Sequence, residues 1–263
     1  MKSVLITGAC GGMGRETALL LKARGFRVFA LDISPFLDDD GIIGVEADVT
    51  SAESLKSALE AVMRHTDRLD AIIHFAGVYM LDSLVEMDEG AYDRIFDINV
   101  KGVFLVNKIF LPMLQKGSRI VITTSELAPL DPLPFTGIYA LTKAALDKYA
   151  YSLRMELQLL EIDVTVIRAG AVKTDMIGAS TLALDRFCEK TERYSCNSKR
   201  FKRIVDRVEA RCIPPSKIAK KCARILAKRR TKFAYSINRN PLLMILNFLP
   251  RGFQLWVIKR ILK

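Results

Sequence analysis

Short, nearly continuous apolar runs alternate with longer stretches of helical periodicity through the first two thirds of the chain. The runs are KSVLI (2–6), RVFAL (27–31), IIGVE (42–46), AIIHF (71–75), RIVIT (119–123) and VTVIR (164–168). Strands apolar on both sides of the pleat suit a parallel sheet covered on both faces. Between them, residues 15–25, 51–65, 92–115 and 138–160 carry apolar positions at helical spacing, and 214–230 resumes that pattern behind Pro214 and Pro215. Repeated strand–helix alternation predicts an α/β fold, a Rossmann-like doubly wound parallel sheet in a single domain.

The pattern weakens after Gly170. Residues 176–212 are polar with scattered apolar anchors, which predicts a helical substrate lid over the cleft at the carboxyl ends of the strands, or else an irregular surface insertion. The expected organisation is a catalytic domain over 1–240, containing that lid, followed by a basic amphipathic C-terminal segment over 241–263. No internal repeat or low-complexity stretch calls for a second domain.

Composition narrows the class. Of 263 residues, 50% are hydrophobic and 26% charged, a globular balance. Apolar stretches are broken by Asn247, Pro250 and Arg251 before a spanning length is reached, and the N-terminus offers only a strand, so neither a membrane span nor a secretory signal is expected. Cys10, Cys188, Cys196, Cys212 and Cys222 are an odd set without a CxxC pair, and His65 and His74 are the two histidines. Reduced thiols, a cytoplasmic location and no metal site are expected.

The net charge of +11 is unevenly placed: residues 1–150 carry 15 basic against 20 acidic side chains, and 151–263 carry 25 against 9. From Ile213 to Lys263 there are 13 basic residues and no acid. Such a surface attracts anions, whether lipid headgroups, nucleic acid or an acidic substrate. The segment 241–263, with its single Trp256, suits the headgroup region of an anionic membrane; alternatively it folds back on its own sheet or a partner subunit. Without a recognition motif or stacking platform, nucleic acid is not expected as a partner.

Two constellations carry candidate chemistry. Thr7-Gly8-Ala9-Cys10-Gly11-Gly12-Met13-Gly14 lies between a strand and a helix, where glycines admit a pyrophosphate to backbone amides and the positive helix end. Asp32 follows the second strand, where a carboxylate accepts from ribose hydroxyls and repels a 2′-phosphate, so NAD is expected rather than NADP; Arg15 is the residue that could pair with a phosphate instead. Tyr139 and Lys143 sit four apart on a helix face, an arrangement in which an ammonium, helped by an oxidised nicotinamide, favours the phenolate. Ser125, past the fifth strand, is placed to bond a substrate oxygen. Asn99 in DINVKG suits a water or a backbone bend near the lysine. His74 reads more readily as a buried imidazole satisfied by backbone than as a catalytic group.

Taken in order over residues 2 to about 176, these motifs resemble the short-chain dehydrogenase/reductase family. TGACGGMG stands for its TGxxxGxG loop, with Asp32, Asp48-Val49, Ala76-Gly77, Asn99, Ser125, Tyr139 and Lys143 following. The resemblance implies that Tyr139 exchanges a proton with an alcohol or carbonyl oxygen, that Ser125 holds that oxygen, and that Lys143 lowers the tyrosine pKa and bonds the nicotinamide ribose. It implies a relay water at Asn99, pyrophosphate contacts at Gly8, Gly12, Met13 and Gly14, and adenine contacts at Asp48 and Val49. Ala76, Gly77, Gly170, Val172 and Thr174 complete the implied cofactor site. The chain departs from the family's usual pattern at His74-Phe75 and Ala169-Gly170. A homodimer or homotetramer packed through helices near 91–116 and 135–160 is implied by analogy.

Leu127, Leu130, Leu133, Phe135, Met176, Ile177, Leu182, Leu184 and Phe187 are the expected apolar walls, unless several of them pack the lid onto the sheet. They favour a bulky apolar alcohol or ketone, such as a steroid, bile acid, retinoid or long-chain compound, over a sugar. The competing reading is a non-catalytic NAD(H)-binding sensor or scaffold docking on anionic membranes.

Overall fold

A computed structural model describes the backbone of residues 1–36, 41–209 and 211–263, and the side chains within them other than those of 175–180, 208 and 209. Seven strands form one parallel sheet: β1 (Ser3–Thr7), β2 (Arg27–Asp32), β3 (Ile42–Glu46), β4 (Leu69–His74), β5 (Leu114–Ser125), β6 (Asp163–Ala169) and β7 (Ala234–Ile237). Their order is β3-β2-β1-β4-β5-β6-β7, so the winding reverses between β1 and β4 and opens a crevice at the carboxyl edge there.

Helices cover both faces because the strands are apolar on both. On one face α2 (Ala52–Met63), α4 (Gly102–Phe110) and α5 (Gly137–Leu157) bury Leu55, Val62, Val106, Phe110, Leu146 and Ala150 against Leu5, Phe29, Ile72 and Ile120. On the other, α1 (Gly12–Lys22) and α8 (Ser216–Leu226) bury Ala18, Leu21, Ile218, Cys222 and Ile225 against Val4, Ile6, Val28 and Ile73. Fully burying each large aliphatic side chain contributes about 2 kcal/mol. An ion pair also ties α5 to the sheet: Arg168 on β6 donates from Nε and Nη2 to the Asp147 carboxylate at 2.9 and 2.6 Å.

Four features depart from the pattern read along the chain. β7 was not expected; it is a four-residue, half-exposed edge strand paired only with β6, within a strongly basic stretch. α1 begins at Gly12 rather than near Arg15. The segment expected as one helix over 92–115 divides into α3 (Glu89–Phe96), a π-helical turn at Asp97–Lys101, and α4. β5 starts at Leu114, earlier than expected, with an irregular register against β4 between Leu69 and Ala71.

Past β6 the chain forms α6 (Asp175–Lys190) and α7 (Ser195–Glu209), and after β7 it forms α9 (Pro241–Phe248) and α10 (Arg251–Leu262). Of these, α6, α7 and α10 share a third apolar cluster: Leu81, Phe135, Leu184, Phe187, Phe201 and Leu262, with Phe135 meeting Phe187, Tyr194 and Phe201 at ring separations of 4.8–5.4 Å. The tail is tied back as well, since Asn197 donates to the Leu262 carbonyl at 2.7 Å. Residues 241–263 thus pack on the chain's own structure through Gln254, Ile258 and Leu262, while Phe248, Leu255 and Trp256 are left exposed. Among the described residues, no helix is long and apolar enough to cross a membrane.

Candidate active site

The turn after β1 approaches the next strand so closely that side chains are excluded. At Gly8, φ is +66° and an added Cβ would fall 2.5 Å from the Ala76 nitrogen; at Gly14 it would fall 2.1 Å from the Gly8 carbonyl oxygen. Gly12, the first residue of α1, faces the Thr174 side chain. The N-cap Gly11 supplies no side-chain acceptor and no acid stands in the first turn, so the leading amides of α1 are left for an incoming anion. Asp32 ends β2 beside this loop, its carboxylate accepting from the Cys10 amide at 2.9 Å and the Ser34 amide at 3.3 Å. This cradle fits a dinucleotide: the backbone is bare where a pyrophosphate needs to approach, and a carboxylate stands where a ribose would follow.

Farther along the edge, Asp48 accepts from the Thr50 amide and hydroxyl, both at 2.8 Å, closing the turn into α2. Val49 is buried and packs against Gly102 at the start of α4. The Ala76 amide donates to Thr7 Oγ1 at 3.3 Å.

The proton-transfer candidates converge on the β4, β5 and α5 side of the crevice. The Tyr139 hydroxyl is hydrogen-bonded to Ser125, and Ser125 Oγ also accepts from the Leu127 amide at 3.2 Å. Lys143 Nζ lies 5.5 Å from the Tyr139 ring centre. The Gly77 backbone passes so near that an added Cβ would sit 3.6 Å from Lys143 Nζ and 3.1 Å from Asn99 Oδ1.

Asn99 sits in the π-helical turn, fully buried, and its amide is spent on structure. Oδ1 accepts from the Val78 amide at 2.8 Å, and Nδ2 donates to the Val78 carbonyl at 2.9 Å and to Thr142 Oγ1 at 3.1 Å. These bonds brace the backbone bend beside the lysine.

Burial is the dominant influence on both the phenol and the ammonium. Burial pushes Tyr139 up to about 12, outweighing its bond to Ser125, and burial pulls Lys143 down to about 8. Both groups are pressed toward their neutral forms because the apolar cleft solvates either charge poorly.

His74 is satisfied by a side chain rather than by backbone. Its Nε2 donates to Asn107 Oδ1 at 2.9 Å, and Asn107 Nδ2 donates to the Tyr149 hydroxyl at 3.1 Å. Buried there, the imidazole is pulled down to about 4 and stays neutral.

A cavity of about 270 Å³ opens in front of Tyr139 and Ser125, with Met13, Gly77, Gly170, Val172 and Thr174 on the side toward the glycine loop. Of the expected walls, Leu127 and Leu133 line it. Phe135, Leu184 and Phe187 instead belong to the third apolar cluster, Leu182 is 60% exposed, Leu130 is not among the lining residues, and Met176 and Ile177 lie outside the described side chains. The wall is completed by residues that sequence reasoning missed: Phe201, Ile204 and Val205 from α7, and Leu242 and Leu243 from α9. Glu126 was missed too, although it adjoins Ser125. Its buried carboxylate accepts from the Asn240 amide at 2.5 Å and so ties the start of α9 to the cleft, and burial pushes its carboxyl above the usual range.

Comparison with known proteins places this geometry. The family model described as short chain dehydrogenase matches residues 2–184. Oxidoreductase UcpA of Escherichia coli K12 is 35% identical over 186 residues, covering 66% of the chain and 71% of that protein. A 3-ketodihydrosphingosine reductase of Bacteroides thetaiotaomicron is 25% identical over 244 residues, 92% of the chain and 89% of the relative. Among solved structures, a 3-ketoacyl-(acyl-carrier-protein) reductase from Brucella melitensis, complexed with NADH, superposes with a TM-score of 0.72 at 20% identity, covering 90% of the chain and 96% of its own.

Proposed function

The chain belongs to the short-chain dehydrogenase/reductase family of nucleotide-binding oxidoreductases, and on that premise we propose that it interconverts a bulky apolar ketone and its secondary alcohol with NAD(H), working in the direction of reduction. The observation that carries this reading is the meeting of Tyr139, Ser125 and Lys143 in an apolar cleft beside an open phosphate cradle.

A bound nicotinamide supplies the hydride. Gly8, Gly12, Met13 and Gly14 hold the pyrophosphate on the open end of α1, and Asp32 holds the adenosine ribose and disfavours a 2′-phosphate. Asp48 and Val49 border the adenine. Ala76, Gly77, Gly170, Val172 and Thr174 border the nicotinamide half, and Lys143 donates to its ribose.

Ser125 donates a hydrogen bond to the ketone oxygen and Tyr139 passes its proton to that oxygen. A phenol pushed up to about 12 is protonated at neutral pH, the form that gives a proton when a ketone is reduced. Lys143, near 8, is still largely cationic at neutral pH and steadies the phenolate left behind. Asn99 is a positioning residue that fixes the floor at Val78. Solved neighbours hold NADH or NADPH, which supports a nicotinamide cofactor of either kind, and the Bacteroides relative, a ketone reductase by name, supports the reaction.

The apolar walls argue for a steroid, bile acid, retinoid or long-chain substrate rather than a sugar. Residues 176–212, carrying α6 and α7, serve as its lid on a catalytic domain of residues 1–240. Exposed Phe104, Leu141, Tyr151 and Met155 on α4 and α5 support assembly as a homodimer or homotetramer through those helices, and free thiols suit a cytoplasmic setting.

Turnover is read by absorbance of the reduced nicotinamide over a panel of apolar ketones with both cofactors. Tyr139→Phe is expected to lower kcat by roughly 100- to 10,000-fold with cofactor affinity retained. Unchanged turnover in that variant would remove Tyr139 as proton donor, and NADH binding without turnover of any ketone would return the chain to a sensor role.

A further inference from the structure

The outer side of the last two helices carries an apolar surface on which no described residue packs. α9 turns Leu242, Ile245 and Phe248 outward at 65%, 59% and 83% exposure, and α10 adds Phe253, Leu255, Trp256 and Ile261 at 49–69%. Phe253 and Trp256 stack 5.5 Å apart at 16°, forming a flat aromatic plate. α10 is held from its opposite side, where Gln254 and Leu262 are buried and Ile258 packs into the third apolar cluster. The fold is therefore complete without covering this surface.

Charge selects the occupant. Lys259, Arg260 and Lys263 are exposed around the plate, Arg251 is paired with Asp131 at 3.3 Å, and the chain from Ile213 onward has no acid. A second copy would bring the same cations against themselves. An anionic lipid surface offers both the apolar depth for the aromatic plate and the counter-charge for its rim. Leu242 links this surface to the cleft, because it lines the cavity before Tyr139 and is also 65% exposed.

We propose that the α9–α10 face docks on an anionic lipid bilayer with the cleft mouth turned toward the lipid, so that an apolar substrate passes from bilayer to Tyr139 without entering bulk water. The substrate arm rests on the functional reading above; the docking arm does not.

Trp256 is the only tryptophan, so its emission reports this face directly. The full chain is titrated with phosphatidylcholine vesicles containing about one-third phosphatidylglycerol as the anionic lipid. Docking predicts a blue shift, quenching by brominated acyl chains, weakening by salt, and roughly thirtyfold weaker binding in the Lys259→Gln/Arg260→Gln double variant. Emission that stays unmoved on anionic vesicles would overturn the proposal. So would a lipid-free shift that follows protein concentration while the particle mass doubles, which would assign the face to a second copy.

For delivery, turnover of a vesicle-dissolved long-chain ketone is compared with that of a short water-soluble one. Phe248→Ser/Phe253→Ser, at two exposed positions where the thermal midpoint is expected to hold, should cut the first several-fold and spare the second. Equal loss on both would reject delivery from the bilayer. If the unaltered chain reduces neither ketone, the substrate reading fails, while the Trp256 emission still decides docking.

Discussion

The two halves of the cleft are built by opposite means. The nucleotide half, around β1, β2 and β4, is mostly backbone: glycines at 8 and 14 where no Cβ fits, uncapped amides on α1, and one carboxylate at the end of β2. The substrate half is mostly side chains from distant helices, with Phe201, Ile204 and Val205 on α7 and Leu242 and Leu243 on α9 brought to the end of β5. A ligand of fixed shape and charge can be met by a turn that a few neighbouring residues encode. An apolar substrate needs only volume and dryness, and those come from whatever the tertiary packing leaves in front of the reacting group.

The contrast can be broken at several points. The largest expected effect belongs to His74 on β4, buried against Asn107 with its pKa near 4 instead of the ordinary 6.5. The unfolded chain binds this proton first as pH falls. Its stabilising effect is complete above the ordinary value and is lost between there and about 4, by about 3 kcal/mol in total. Urea unfolding at neutral pH and near pH 4 should show that extra loss in the native chain and not in His74→Asn. Equal losses would mean that the sheet beneath the nucleotide half tolerates a buried imidazolium.

Next comes the carboxylate at the end of β2. Asp32→Ser should move the preference toward NADPH by tenfold or more, about 1.4 kcal/mol, read as the ratio of kcat/KM for the two cofactors. A native preference for NADPH of that size would refute the ribose–carboxylate argument.

The smallest expected effect sharpens the other half. Asn240 caps α9 by accepting from the Leu242 amide at 3.0 Å, while its own amide is held by Glu126. Asn240→Ala should loosen α9 by about 1 kcal/mol and raise KM for an apolar ketone several-fold, leaving KM for the cofactor unchanged. A change in the cofactor KM instead would show that the two halves are not separately built.

Six of the seven strands, the glycine loop, Asp32 and the Ser125–Tyr139–Lys143 set were legible because each rests on local chemistry: apolar runs, turns that only glycine permits, and a four-residue helical spacing. β7 was not legible, because a four-residue edge strand among Lys and Arg has no apolar run to announce it. The wall assignment failed for a related reason. Periodicity marks a residue as belonging to an apolar face but not what that face meets, so Phe135, Leu184 and Phe187 read as cleft walls although they join α6, α7 and α10 in one cluster. Glu126 carried no signal of its own; its role exists only because α9 returns across 114 residues to meet it.

By itself, the order of residues determined the doubly wound sheet, the glycine turn and the grouping of Ser125, Tyr139 and Lys143, since these depend on backbone geometry and on neighbours within a turn or two. Tertiary structure alone decided which apolar side chains became wall and which became fastening, and that α9 stands at the cleft mouth. It also decided that burial pushes the Tyr139 phenol up and pulls the Lys143 ammonium down. Those outcomes depend on how much water remains around each group, and that is settled only when segments far apart in the chain close over it.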